Sequence, residues 1–220
     1  MNEKQLKVGI IGGGAAGFFA AISCKQHHPN ADVIILEKST KTLAKVKISG
    51  GGRCNVTNAT YSISVLSKNY PRGEKQLKKA FSQFMTTDTV EWFESRGVEL
   101  VTQDDKCIFP KAQDSQVIID CLMNEVNKFG ITIKIQTHIE AIIAKENGYE
   151  LTIRGQKSMV FDKIILASGG PSKEGSLRNI QVKRNGLLVN TYDFYDLLLK
   201  GDTSKDFRLQ ESDAVFFPLI

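Results

Sequence analysis

Residues Lys7–Glu37 read KVGIIGGGAAGFFAAISCKQHHPNADVIILE, and this stretch decides the fold. A short apolar run, Val8 to Ile11, leads into a glycine cluster and an Ala/Phe-rich segment. A second apolar run, Val33 to Leu36, ends at Glu37. Strand, tight turn, helix and strand in that order make a βαβ unit. The glycines fall as Gly12-x-Gly14-x-x-Gly17, and each position has a mechanical reason. Gly12 permits the turn out of the strand, Gly14 lets backbone approach a pyrophosphate, and Gly17 lets helix and strand pack closely. The helix that opens with Ala15 and Ala16 presents free N–H groups and its positive dipole end to phosphate. Glu37 ends the second strand, where a carboxylate accepts hydrogen bonds from a ribose 2′-OH and repels a 2′-phosphate. The alternative is a Gly-rich turn in an unrelated α/β protein; the full order of strand, helix, strand and terminal acid favours dinucleotide binding.

A chain of 220 residues can hold one or two domains, and 41% hydrophobic with 24% charged residues is ordinary for a globular protein. The net charge is +5, but no run of five or six basic residues exists, so a nucleic-acid partner is not expected. Part of the excess sits in Lys38, Lys41, Lys45, Lys47 and Arg53, which an anionic cofactor accounts for economically. No stretch is long and apolar enough for a membrane span, and the N-terminal apolar run is too short for a signal peptide. Cys24, Cys54, Cys107 and Cys121 form no C-x-x-C pair, which suits reduced thiols in a cytoplasmic protein. His27, His28 and His138 lack metal-ligand spacing, so no metal is expected.

A second glycine cluster lies in KVKISGGGRCNVTN. Gly50, Gly51 and Gly52 suit a loop whose backbone must come close to another group. Ser49, Arg53, Asn55, Thr57 and Asn58 add donors around it, and the Arg53 guanidinium can fork two hydrogen bonds onto a phosphate or carboxylate. A flexible linker is the competing reading, but Val46, Ile48 and Val56 frame the loop with apolar residues.

GGGAAG, LEKS and ISGGGRCNVTN together resemble the BaiN-like (aminoacetone oxidase-like) family of FAD-dependent oxidoreductases. The resemblance runs on through NYPRG, DTVEWFESRGVEL, Phe109-Pro110 and DSQVIIDCL, over about residues 7–170. It implies FAD as cofactor, NAD(P)H as electron donor and a small organic substrate. It assigns cofactor binding to Gly12, Gly14, Ala15, Ala16, Gly17, Glu37, Lys38 and Lys45, and to the loop Ser49, Gly50, Gly51, Gly52, Arg53, Cys54 and Asn55. The turn at Thr137-His138-Ile139 is where related flavoproteins hold adenine through backbone groups, which adds Ile139. No catalytic acid or base is assigned, and Cys54 is read as packing rather than as a reactive thiol.

Between these motifs, Leu77, Ala80, Phe81 and Phe84 recur at helical spacing. Asp88 is positioned to cap a second helix carrying Val90, Trp92 and Phe93. These aromatics read as core. Residues 98–110 read as a hairpin with a solvated tip at Asp104-Asp105-Lys106, and Asp114 or Ser115 caps a further helix ended by Gly130. Residues 131–135 read as a third parallel strand. Residues 139–161 read as an antiparallel meander with a turn at Asn147-Gly148. The segment DKIILASGG reads as a buried strand closing the parallel sheet. Its Ala167-Ser168-Gly169 end resembles the flavoprotein "ATG" motif and adds those three residues to the cofactor site.

Beyond Gly170 the flavoprotein resemblance stops. Arg184-Asn185-Gly186 marks a hairpin, 192–199 a short helix, and 207–209 and 214–219 two more strands. GGPSKEGSLRNIQVKRNG, DFYDLLLKGDTSKDFRLQ and VFFP resemble the SLBB domain of polysaccharide-export proteins, which would bring a glycan or envelope-assembly partner. The expectation is therefore an α/β protein. Residues 1–170 form a Rossmann-like FAD-binding domain with a parallel sheet and antiparallel meander, and residues 171–220 form a β-grasp-like unit. Because the two resemblances imply different compartments, a truncated or recombined chain is expected, against a small flavoprotein with a divergent cap. The functional expectation is an FAD-dependent oxidoreductase; the alternative is a catalytically incomplete FAD- or ADP-binding fragment fused to an SLBB module.

Overall fold

The computed structural model describes residues 5–70, 73–169, 180–192, 210 and 213–216. In chain order the elements are β1 (Lys7–Ile11), α1 (Ala15–His27), β2 (Asp32–Leu36), α2 (Ala44–Ile48), a 3-10 turn (Ser49–Gly52), β3 (Thr57–Asn58), α3 (Ile63–Lys68), α4 (Glu74–Phe81) and α5 (Thr86–Glu94). There follow β4 (Leu100–Thr102), β5 (Cys107–Pro110), α6 (Gln116–Lys128), β6 (Thr132–Lys134), β7 (Ile139–Lys145), β8 (Gly148–Ile153), β9 (Met159–Phe161) and β10 (Lys163–Leu166). Then come β11 (Ile180–Arg184), β12 (Leu187–Tyr192) and β13 (Asp213–Phe216). The chain divides into two compact units, the second comprising mainly Leu43–Glu125.

The first unit is built on a four-stranded parallel sheet in the order β10-β1-β2-β6. Its central strands are buried on both faces, as a helix-covered parallel sheet requires: Val8, Ile10, Val33, Ile34, Ile35 and Leu36 are all in the core. Helix α1 packs against β1, β2 and β10 through Phe18, Ala21 and Ile22. The opposite face is covered by the meander β7-β8-β9, whose Ile142, Leu151 and Phe161 form one cluster with Ile34 and Leu36. The Phe161 ring lies so close over β1 that a side chain at Gly9 would meet it at 3.0 Å.

The strand ending in Ala167-Ser168-Gly169 does pair with β1 and close the parallel sheet, but it is not buried. Among the described residues it is the edge strand, and Ile165 and Leu166 are 38% and 44% exposed. The Arg184-Asn185-Gly186 hairpin forms as expected, with Asn185 at φ 50° and Gly186 at φ 81° supplying a turn that matches strand twist. The described tail strands join the meander: β13 pairs antiparallel with β7, giving the sheet order β12-β11-β13-β7-β8-β9. The helix expected at 192–199 does not begin at Tyr192, which ends β12 instead; residues 193–199, the strand at 207–209, the end of the last strand at 217–219 and the junction at 170–171 lie outside the described residues.

The second unit contains a three-stranded antiparallel sheet, β3-β5-β4, with α2 to α5 and most of α6. The β4–β5 hairpin has Lys106 at φ 66°, and the Asp105 carboxylate accepts the Cys107 N–H at 2.9 Å. Helix α5 begins two residues before the expected cap. Asp88 sits in its first turn instead, and its carboxylate reaches back to accept the Met85 N–H at 2.7 Å. The aromatics of this region divide. Phe93 is core, whereas α4 buries no residue and Phe84 is 39% exposed. No helix among the described residues is long and apolar enough to cross a membrane.

Candidate functional site

The glycine turn of the first unit has the geometry its spacing requires. Gly12 lies at φ +118°, and a Cβ there would sit 2.3 Å from the Ala167 carbonyl oxygen. A Cβ on Gly17 would sit 1.8 Å from the Gly12 carbonyl oxygen, so helix and turn touch at a distance only hydrogen permits. The close approach is tied down on both sides: Gly12 N–H donates to Leu36 O, and Ala167 N–H donates to Ile11 O, each at 2.8 Å.

Gly14 is different. Its φ is −88°, an ordinary value, and a Cβ there would meet nothing within 4 Å. The fold itself gives no reason for glycine at this position; a group approaching from outside does. Gly14 is the N-cap of the 13-residue α1 and contributes no side-chain cap, and Ala15 and Ala16 are exposed. The first intrahelical bond runs from Phe18 N–H to Gly14 O at 3.0 Å, so the first-turn N–H groups face outward with the positive helix end behind them.

Glu37 follows β2 and is held in place by backbone. One carboxylate oxygen accepts the Gly13 N–H at 2.7 Å, and the other accepts the Ser39 N–H at 2.8 Å. A carboxylate has about four lone-pair sites, so each oxygen retains capacity for a hydroxyl. The chain leaving β6 closes over the same segment: Glu37 N–H donates to Lys134 O and Thr137 N–H donates to Glu37 O, both at 2.8 Å. Ile139 begins β7 just beyond. Burial, and then the Arg154 and Lys38 charges, hold the His138 imidazole below its usual range, so it is neutral at pH 7. Gly169 lies at φ +75° beyond the exposed Ser168.

In the second unit the other glycine loop is a left-handed turn. Gly50, Gly51 and Gly52 have φ of 55°, 69° and 86°, and Cys54 follows at 61°. Ser115, far along the chain and buried, pins the loop: its hydroxyl donates to Lys47 O and its N–H donates to Gly52 O, both at 2.8 Å. The Arg53 guanidinium lies 4.3 Å from the Phe109 ring centroid. It also donates to Gly50 O and to the Gln113 side chain, each at 3.2 Å. Its fork is thus engaged within the unit, and Lys47 pairs with Asp114 at 3.3 Å; Lys45 is exposed on α2. Cys54 is buried, and burial pushes its thiol up, opposed by a hydrogen bond with Ser49. A neutral, buried thiol is not a nucleophile. In the sequence Ser115 is one of two candidate helix caps, with Asp114, and nothing local signals its hold on the loop. No group of His, Cys, Asp or Glu among the described residues is arranged to hold a metal.

The family profile described as the HI0933-like protein Rossmann domain matches residues 6–179. The 3-dehydro-bile acid delta(4,6)-reductase of Clostridium scindens is 30% identical over 168 residues, covering 76% of this chain and 40% of the relative. The ribosomal RNA dihydrouridine synthase of Escherichia coli is 28% identical over 171 residues, again 76% of this chain and 40% of the relative. The chain therefore spans about 40% of the length of these curated relatives. Among solved structures, quinol fumarate reductase FrdA of E. coli aligns with a TM-score of 0.54 at 13% identity, over 86% of this chain and 42% of that one, which speaks to the fold alone. With the profile spanning the glycine turn, Glu37, the second glycine loop and the β10 exit, the chain belongs to the HI0933-like protein Rossmann domain family.

Proposed function

We propose that this chain is the FAD-binding portion of an oxidoreductase that adds hydrogen across a ring double bond of a small organic substrate, with NAD(P)H as electron donor. The observation that carries the reading is Gly14. It is a glycine for which the fold has no use, at the open N-terminus of α1, beside a carboxylate held 2.7 Å from the Gly13 N–H. That arrangement fits the ADP half of FAD. The first-turn N–H groups at Ala15 and Ala16 take the pyrophosphate, Gly14 lets it approach, and Glu37 takes the ribose hydroxyls.

The choice of reaction draws on relatives: delta(4,6)-reductase and dihydrouridine synthase are both names for adding hydrogen across ring double bonds. FAD, when bound, supplies the hydride chemistry. The protein binds and orients the cofactor through the residues above. We assign Ser49–Asn55 to contacts with the same cofactor on the strength of the sequence motif, and Ile139 and Ala167–Gly169 as backbone neighbours.

The purified protein should carry flavin absorption bands that bleach on anaerobic addition of NADH or NADPH. Added FAD at about 100 times its dissociation constant should stabilise the fold by about 2.7 kcal/mol. A colourless protein whose melting temperature is unmoved by FAD sinks the reading.

A further inference from the structure

We infer that Gly13 is a positioning residue for Glu37: the space left by its missing side chain is the seat of the Glu37 carboxylate, and that seat lets the site read one ribose hydroxyl. That the hydroxyl belongs to the ADP half of FAD rests on the function proposed above; the seat itself does not. Gly13, Glu37 and Thr42 all belong to the first unit. Gly13 is buried, and its φ lies outside the left-handed region, so backbone strain does not demand glycine there. The spacing Gly12-x-Gly14-x-x-Gly17 leaves position 13 open to any residue, so the motif is silent about it.

The neighbours of the missing Cβ supply the reason. A Cβ on Gly13 would fall 2.9 Å from the Glu37 Cβ, 2.9 Å from Glu37 Oε2 and 3.0 Å from the Thr42 Cγ2. All three are inside the about 3.5–4.0 Å at which carbon atoms pack without strain. The Glu37 side chain uses that space to lie against the Gly13 peptide, where Oε2 accepts the Gly13 N–H at 2.7 Å. Oε1 accepts the Ser39 N–H at 2.8 Å. The Ser39 hydroxyl donates to Lys41 O at 2.7 Å, closing the short turn that brings Thr42 beside Gly13. Two charge-assisted hydrogen bonds therefore fix the carboxylate, and a ribose hydroxyl meets an acceptor that is already oriented. The contacts differ in what they yield to. Oε2 is the tip of a flexible side chain and can swing away from a new methyl group. The Glu37 Cβ and the Thr42 Cγ2 stand close to backbone and hold that methyl in place. Gly13→Ala thus expels the carboxylate while the turn stays folded.

ADP and 2′-deoxy-ADP differ by the one hydroxyl that Glu37 is placed to accept. In calorimetric titration of the full chain stripped of flavin, ADP should be preferred about tenfold, the worth of one hydrogen bond to a charged group. Gly13→Ala should weaken ADP by that factor and bind 2′-deoxy-ADP no differently from the unsubstituted chain. Glu37→Ala should abolish the same preference, and the two changes together should do no more than either alone. Equal weakening of both nucleotides by Gly13→Ala, or a preference that survives it, overturns the positioning role. A second measurement needs no nucleotide. In ¹H–¹⁵N spectra the amide proton of residue 13 should move upfield when Glu37→Gln removes the charged acceptor. In the Gly13→Ala background the same change should leave that signal in place. A chain that shows this amide pattern yet binds neither ADP nor FAD supports the positioning role and counts against the cofactor reading alone. A chain that binds nucleotide while the amide answers to Glu37 in both backgrounds overturns the positioning role alone.

Discussion

Each of the two glycine loops holds one position where glycine is required for a single reason, and the two reasons differ. In Gly12–Gly17 the constraint is space: Gly17 has a helical backbone that any residue could adopt, yet a Cβ there would penetrate the Gly12 carbonyl at 1.8 Å. At Gly51 in the second loop the constraint is backbone alone: a Cβ there would meet nothing within 4 Å, but its φ of +69° costs an L-residue conformational energy, whereas Gly50 adds crowding, its Cβ falling 2.8 Å from the Phe109 ring. Gly14 belongs to neither class, since it has both free space and an ordinary φ. The difference teaches that a glycine motif does not say what each glycine is for. The neighbours of the missing Cβ do.

Substitution separates the classes. Gly17→Ala should have the largest effect. It forces α1 off the turn and costs about 3 kcal/mol in stability, read as a lower urea midpoint. Gly51→Ala should cost about 1 kcal/mol, the penalty of a left-handed alanine, and Gly51→Asn should recover part of it because asparagine tolerates that conformation. If Gly51→Ala cost as much as Gly17→Ala, the distinction between crowding and strain would collapse.

Gly14→Ala completes the set. The fold should lose about 0.5 kcal/mol, the weaker N-cap preference of alanine, while FAD affinity falls at least tenfold because the methyl group stands where pyrophosphate approaches. Titration of the apoprotein with FAD, alongside urea denaturation, reads both quantities. Unchanged affinity would mean that Gly14 faces no ligand.

What could be read from the sequence was local. The glycine spacing, Glu37 at the strand end and the turn at Arg184-Asn185-Gly186 depend on residues a few positions apart, and their geometry follows from that spacing; the meander turn falls at Glu146-Asn147, one residue before the expected Asn147-Gly148, with Gly148 opening β8. What escaped depends on distant chain. Whether a strand ending in Ala-Ser-Gly is central or at an edge is set by strand order, so the exposure of Ile165 and Leu166 carried no sequence signal. Arg53 over Phe109, and Ser115 holding Gly52, join residues separated by more than fifty positions, and the periodicity of either segment is silent about the other. The tail strands read correctly as a hairpin, but not as additions to the meander, because an apolar alternation does not name the edge it will pair with.

The smallest effect should come from Cys54, a non-glycine held at positive φ just after the second glycine loop, beyond Arg53 at φ −94°. Burial raises its thiol pKa in the folded state. Below the ordinary thiol value of about 8.5 the sulfur is protonated in both states and contributes no pH dependence. Above it the unfolded chain loses its proton first, so the folded state binds more protons and stability falls as pH rises. Cys54→Ser does not titrate there, so its urea midpoint should fall less between pH 7.5 and pH 10 than that of the unsubstituted chain. The remaining cysteines, lysines and tyrosines are common to both proteins and cancel in the difference. Parallel pH profiles would mean that solvent reaches the thiol, and the second loop would then lack the packed anchor that Ser49 and Ser115 give it.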